Sequence, residues 1–118
     1  MLKIEFITVE EQKVIKMEGK VTEEVQEIFK RGIKCAILIE EGTKEEIFNF
    51  GKKYGKSLGN PYFLEKGKVL FMTECSWYKE LCKKAVRYER EKRVPTVQEM
   101  EGLNSYQIYT LGRLCWCI

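Results

Sequence analysis

Cys35-Ala36-Ile37-Leu38-Ile39-Glu40 (CAILIE) is the stretch on which the fold turns. A short continuous apolar run of this kind reads as a strand covered on both faces. On its amino side the period is helical: Val21, Val25, Ile28 and Phe29 share one face. Glu23 and Glu24 stand in the first turn of that helix and Lys30 and Arg31 in the last, as the helix dipole favours. Gly32 then suits the left-handed residue that closes a helix. Further back, Leu2, Ile4, Phe6 and Thr8 alternate with Lys3, Glu5, Ile7 and Val9, the period of a strand. Lys13 to Glu18 (KVIKME) reads as its hairpin partner across the short Glu10-Glu11-Gln12 link.

On the carboxyl side, Gly42 turns the chain, and Thr43 with Glu46 forms a capping box. The helix it opens aligns Ile47, Phe50, Tyr54 and Leu58. Gly51 and Gly55 sit beside that stripe, each costing about 1 kcal/mol relative to alanine in a helix. Close approach of this helix to the sheet is the expected compensation. Gly59-Asn60-Pro61 breaks the chain, and Lys68 to Thr73 (KVLFMT) reads as a fourth strand. A long helix follows from Ser76 to about Arg93, with Trp77, Leu81, Ala85 and Tyr88 on its apolar side, and stops before Val94-Pro95.

The expected fold is therefore α/β: a small mixed four-stranded sheet in the order β-β-α-β-α-β-α, with a C-terminal helical or hairpin extension. Helical crossovers imply that strands two, three and four run parallel, with strand one antiparallel to strand two. One domain is expected over 1–118: sheet and covering helices in 1–73, the long basic helix in 74–93, and a C-terminal element in 94–118. In that last element Thr96 and Glu99 form a second possible capping box. Ile108, Leu111, Cys115 and Ile118 have helical spacing, whereas Tyr106 to Thr110 and Leu114 to Ile118 are rich enough in β-formers for a hairpin. The helical spacing is the preferred reading. Trp116 and Ile118 are expected to pack on the body of the protein or in a homo-oligomer.

Composition narrows the chemistry. The 118 residues contain no histidine, and all 18 acidic side chains are glutamate. A Ser-His-Asp or Cys-His catalytic set cannot be assembled, nor can histidine-ligated zinc or an aspartate-based magnesium site. Five cysteines, an odd number, suit free thiols in a reducing cytoplasm. Cys75, Cys82, Cys115 and Cys117 could supply four thiolates, but C-x6-C and C-x-C match no familiar ligand spacing, so no metal is expected. Abundant Lys and Glu with only two prolines give a thermophile-like balance. No run of 18 apolar residues occurs, so no membrane partner is expected. Gly51-Lys52-Lys53-Tyr54-Gly55-Lys56-Ser57 is one residue short of a phosphate loop and ends a helix instead of opening one, so no nucleotide cofactor is expected. Ile39-Glu40-Glu41-Gly42 resembles the strand-Glu-Gly opening of a Toprim domain. That family's second motif requires aspartates, so the resemblance ends with these residues.

Two candidate sites remain. The first is at the carboxyl ends of the strands, where open parallel sheets bind ligands. The loops 18–20, 40–43 and 73–76 should share one edge there. Lys20, Gly42, Thr43, Thr73 and Ser76 are the candidate ligand-binding residues, and Cys75, Glu41 and Glu74 the candidate catalytic ones. A nucleotide or phosphorylated ligand would suit the helix starts that follow these loops. The second site is the long helix. The net charge of +3 conceals a basic middle: residues 49–93 carry 12 basic and 5 acidic side chains. Lys79, Lys83, Arg87 and Arg90 fall on one stripe roughly 16 Å long. Glu80 is expected to pair with Lys84 and Arg87 with Glu91. Such a stripe could follow the phosphates of a nucleic acid, which makes a binding or regulatory protein the leading expectation over an enzyme. A weak helix-turn-helix pattern follows, with Gly102 as the turn and Val97, Leu103, Ile108 and Leu111 at apolar positions.

Overall fold

The computed structural model describes residues 1–58, 62–65, 68–70 and 76–118. Its strands are β1 (Lys3–Thr8), β2 (Val14–Glu18), β3 (Cys35–Glu41), β4 (Tyr62–Glu65) and β5 (Lys68–Leu70). Its helices are α1 (Glu23–Lys30), α2 (Lys44–Leu58), α3 (Ser76–Glu91) and α4 (Ser105–Leu114). The sheet order is β2-β1-β3-β4-β5. β2, β1 and β3 form an antiparallel trio, with Phe6 of β1 opposite Ile15 on one side and Ile37 on the other. β3 pairs parallel with β4 through Ala36–Tyr62 and Ile37–Phe63, and β4 turns back antiparallel into β5.

The expected α/β class stands, but the four-stranded sheet and its element order do not. β4 is an additional strand. It reverses the chain so that β5, the fourth strand of the sequence reading, runs antiparallel to β3 and not parallel to it. The α2 crossover does join parallel strands; its second strand is β4.

The alternation in β1 decides which side of the sheet is covered. Ile4, Phe6 and Thr8 are buried, and the register places Ile15, Met17, Cys35, Ile37 and Ile39 on the same face. That face packs against the helices; Phe6 meets Phe29 of α1 with ring centroids 5.1 Å apart. The opposite face carries Glu5, Val14 and Lys16. Lys16 lies 3.6 Å from Glu5 there, and a hydrogen bond with Glu5 pushes the Glu40 carboxyl above its ordinary range.

Local signals explain the helix ends. Thr22 caps α1 by accepting from the Val25 N–H (3.4 Å), and Gly32 closes it at φ 71°. The Thr43–Glu46 capping box opens α2, with the Thr43 N–H donating to Glu46 (3.1 Å) and the Glu46 N–H to Thr43 (3.2 Å). α3 ends without glycine: Lys92 takes φ 55° and donates to the Glu89 carbonyl, while Arg93 donates to that of Tyr88.

The C-terminal element is helical. Asn104 and Gln107 form its capping box. The Thr96–Glu99 box is present too, opening only a three-residue 3-10 turn, Gln98–Met100. Ile108, Tyr109, Thr110, Leu111 and Gly112 are five consecutive buried residues, so α4 is enclosed on all sides. The buried Thr110 hydroxyl donates to the Tyr106 carbonyl (2.7 Å). A helix so enclosed cannot enter a DNA groove, and a single 3-10 turn precedes it where a helix-turn-helix needs a first helix. That pattern is excluded.

The glycines of α2 face α4, not the sheet as expected. A Cβ on Gly51 would collide with the Tyr109 carbonyl, one on Gly55 would lie 2.6 Å from the Arg113 Cβ, and one on Gly112 would strike the Phe48 carbonyl. Three bare backbone positions thus let α2 and α4 touch main chain to main chain. Phe48, outside the apolar stripe read from the sequence, is buried on this side.

Arg93 and Glu99 tie the end of α3 to the segment leading into α4. The guanidinium reaches both Glu99 oxygens, at 2.6 and 3.1 Å, and lies over the Tyr88 ring. The arginine, joined by the Thr96 N–H, holds the Glu99 carboxyl down at about 2, from an ordinary 4.5. A depressed carboxyl contributes stability above its unfolded value and loses it as the pH falls through the folded one. Glu99→Gln is therefore expected to lower the melting temperature at pH 7, with the difference from wild type closing between about pH 4.5 and 2. A difference that is the same at pH 7 and pH 2 would contradict this.

Candidate functional site

The two candidate regions fare differently. β2 and β3 both run antiparallel to β1, so their carboxyl ends, with loops 18–20 and 40–43, share one edge of the sheet. The parallel arrangement does not extend to β5, which heads for the opposite edge. Thr73, Glu74 and Cys75 lie outside the described residues, and Ser76 begins α3.

At the shared edge the candidate ligand residues have structural occupations. Thr43 is engaged in the α2 cap through both its N–H and its hydroxyl. Gly42 is crowded, since a Cβ there would lie 2.5 Å from Leu2 Cδ1. Glu41 pairs with Lys3 at 3.6 Å. Lys20 is exposed. What the edge does hold is a cleft of about 240 Å³ lined by Leu2, Gly19, Glu46, Asn49, Phe50 and Lys53, together with Tyr54. Asn49 and Lys53 were not among the sequence candidates. Their i, i+4 spacing on the flank of Phe50 was the available signal.

The described thiols do not form a cluster: among the described residues, no group of three or more potential ligands could hold a metal ion. Cys35 and Cys115 are buried, and desolvation pushes both thiols up to about 11. A thiol so shifted is a poor nucleophile at neutral pH.

α3 presents the basic stripe to solvent. Leu81, Ala85 and Tyr88 are buried on one side. Lys79, Lys83, Arg87 and Arg90 are all exposed. At 3.6 residues per turn these four cations fall within an arc of about 80°, centred opposite the buried face. Lys83 is 3.3 Å from Glu80, which takes it in preference to the expected Lys84. Arg87 meets Glu91 at 3.1 Å as expected. Both pairs are exposed, where ion pairs are weak and readily exchanged for another anion. Lys79 and Arg90 make no ion pair with any described residue. Among the described residues, no helix is long and apolar enough to cross a membrane.

A scan against protein-family models, a search of curated proteins and a search of solved structures each return no match to this chain.

Proposed function

We propose that this chain is a small binding or regulatory protein that engages nucleic acid, or a similar phosphate polyanion, through the exposed face of α3. The observation that carries the reading is the single stripe of Lys79, Lys83, Arg87 and Arg90, all solvent-exposed and opposite the buried side of the helix. Cations spaced along one rigid helix can follow successive phosphates, and weak pairing to Glu80 and Glu91 is a small cost to displace. The five thiols favour the cytoplasm as its compartment, and the Lys/Glu balance suits a thermophilic setting.

Binding of a labelled mixed-sequence duplex, followed by fluorescence anisotropy between 50 and 200 mM salt, tests this. Four phosphate contacts give a slope of log affinity on log salt near about −3.6. A flat response, or no binding at low salt, removes the reading.

A second reading has one observation behind it. The cleft beside Gly19, with Glu46, Asn49 and Lys53 on one wall, holds about 240 Å³, just below the usual range of ligand pockets and enough only for a small polar molecule. It supports a small-molecule site or enzyme at the shared strand edge, with Thr43 acting as a helix cap and not as a ligand group.

A further inference from the structure

The tail that follows α4 holds an aromatic ring at the surface. Cys115 is buried and Ile118 packs against the core, so the chain is anchored on both sides of Trp116. The Ile118 N–H donates to the Cys115 carbonyl (3.1 Å) and closes the turn between them. Trp116 itself is 52% exposed. The ammonium of Lys56, on α2, sits 3.8 Å from its ring centroid.

More charge surrounds it. Lys52 lies one helical turn before Lys56, and the Cys115 thiol feels both Lys52 on α2 and Glu89 on α3. The tail therefore lies where α2 and α3 flank α4. Glu89 belongs to α3, so that helix as well as α2 runs near the tail, with the basic stripe on the side of α3 opposite its buried face.

An exposed indole beside lysines is the combination that sequence-tolerant single-strand binders use: bases stack on the ring, and cations track the backbone. A duplex offers no free base face. We propose that Trp116 is a stacking platform for one base of a single-stranded nucleic acid, with Lys52 and Lys56 holding the adjoining phosphates. This rests on the polyanion reading of α3 and adds to it a preference for unpaired strands. The self-association expected from the sequence would use the same ring, and solution mass separates the two.

The test uses the full chain, with labelled single-stranded DNA and RNA of one mixed pyrimidine sequence and the matching duplex. Trp116→Ala should weaken single-strand binding about tenfold, leave duplex binding unchanged, and leave the salt slope as it was. Trp116→Phe, which keeps a ring, should retain affinity within about threefold. Preferential loss on single strands of either sugar supports the platform, and the more strongly bound strand identifies the natural one. Single-strand affinity unchanged in Trp116→Ala overturns the platform, while loss of binding in an α3 charge variant would still uphold the polyanion reading. Equal loss on duplex and single strand, or a wild-type dimer that Trp116→Ala splits, also overturns the platform. Wild-type protein that binds none of the three overturns both.

Discussion

Gly112→Ala is expected to destabilise the protein by about 3 kcal/mol and to lower its melting temperature by roughly 12 °C. Helix propensity alone argues the other way, since alanine is about 1 kcal/mol better than glycine inside a helix. Packing outweighs it because the added methyl meets main chain. It would strike the Phe48 carbonyl and lie 3.0 Å from the Lys52 amide nitrogen. No rotamer change relieves a collision with backbone; α2 and α4 must move apart. Their separation would loosen Phe50 against Tyr109, whose rings are 5.9 Å apart. Gly51→Ala should act similarly through the Tyr109 carbonyl. The double variant should cost less than the sum of the two, because helices already parted by one methyl accommodate the second. Gly102 is the control. It has open space around its missing Cβ but a φ of 83°, so alanine there should cost only about 1–2 kcal/mol. A melting temperature unchanged or raised in Gly112→Ala would mean that the two helices are not in backbone contact.

Lys83→Glu combined with Arg87→Glu should reduce affinity for nucleic acid about 100-fold at low salt and bring the salt slope from about −3.6 to about −1.8. Two of the four cations become repulsive, and both lie mid-stripe. Their present pairs with Glu80 and Glu91 are surface pairs worth about 0–1 kcal/mol, so the fold should survive their loss. The neutral variant Lys83→Gln with Arg87→Gln should lose about tenfold, which separates lost attraction from added repulsion. Unchanged affinity in the charge-reversed variant, with melting also unchanged, would show that α3 is not the contact surface.

The fold was legible where one physical signal dominated. Alternation in Leu2–Thr8 identified β1 and its covered face, and Gly32 and the Thr43–Glu46 box marked helix ends. β4 was lost because Tyr62–Glu65 is only four residues long and follows a Pro61 break. Glu65 and Lys68 are register partners with Lys66-Gly67 between them in the sequence. A two-residue link ending in glycine is a hairpin signal that could have found it. Missing this reversal turned β5 the wrong way, so the parallel arrangement on which the third loop's placement was argued does not hold. The glycine spacing in α2 told that something comes close; that α4 does so depends on packing between segments over 50 residues apart in the chain. The cation stripe was readable because helical spacing alone determines it. Selection of Glu80 by Lys83, and the seating of Lys56 on Trp116, depend on side-chain placement and tertiary contact that spacing does not encode.

The most direct measurement of the central claim is amide chemical-shift mapping of the full chain during titration with a short single-stranded oligonucleotide. The account predicts perturbations concentrated on α3 between Lys79 and Arg90, extending to the Cys115–Ile118 tail and to Lys52 and Lys56. Perturbations centred instead on Leu2, Gly19, Glu46, Asn49 and Lys53 would contradict it and locate binding in the strand-edge cleft.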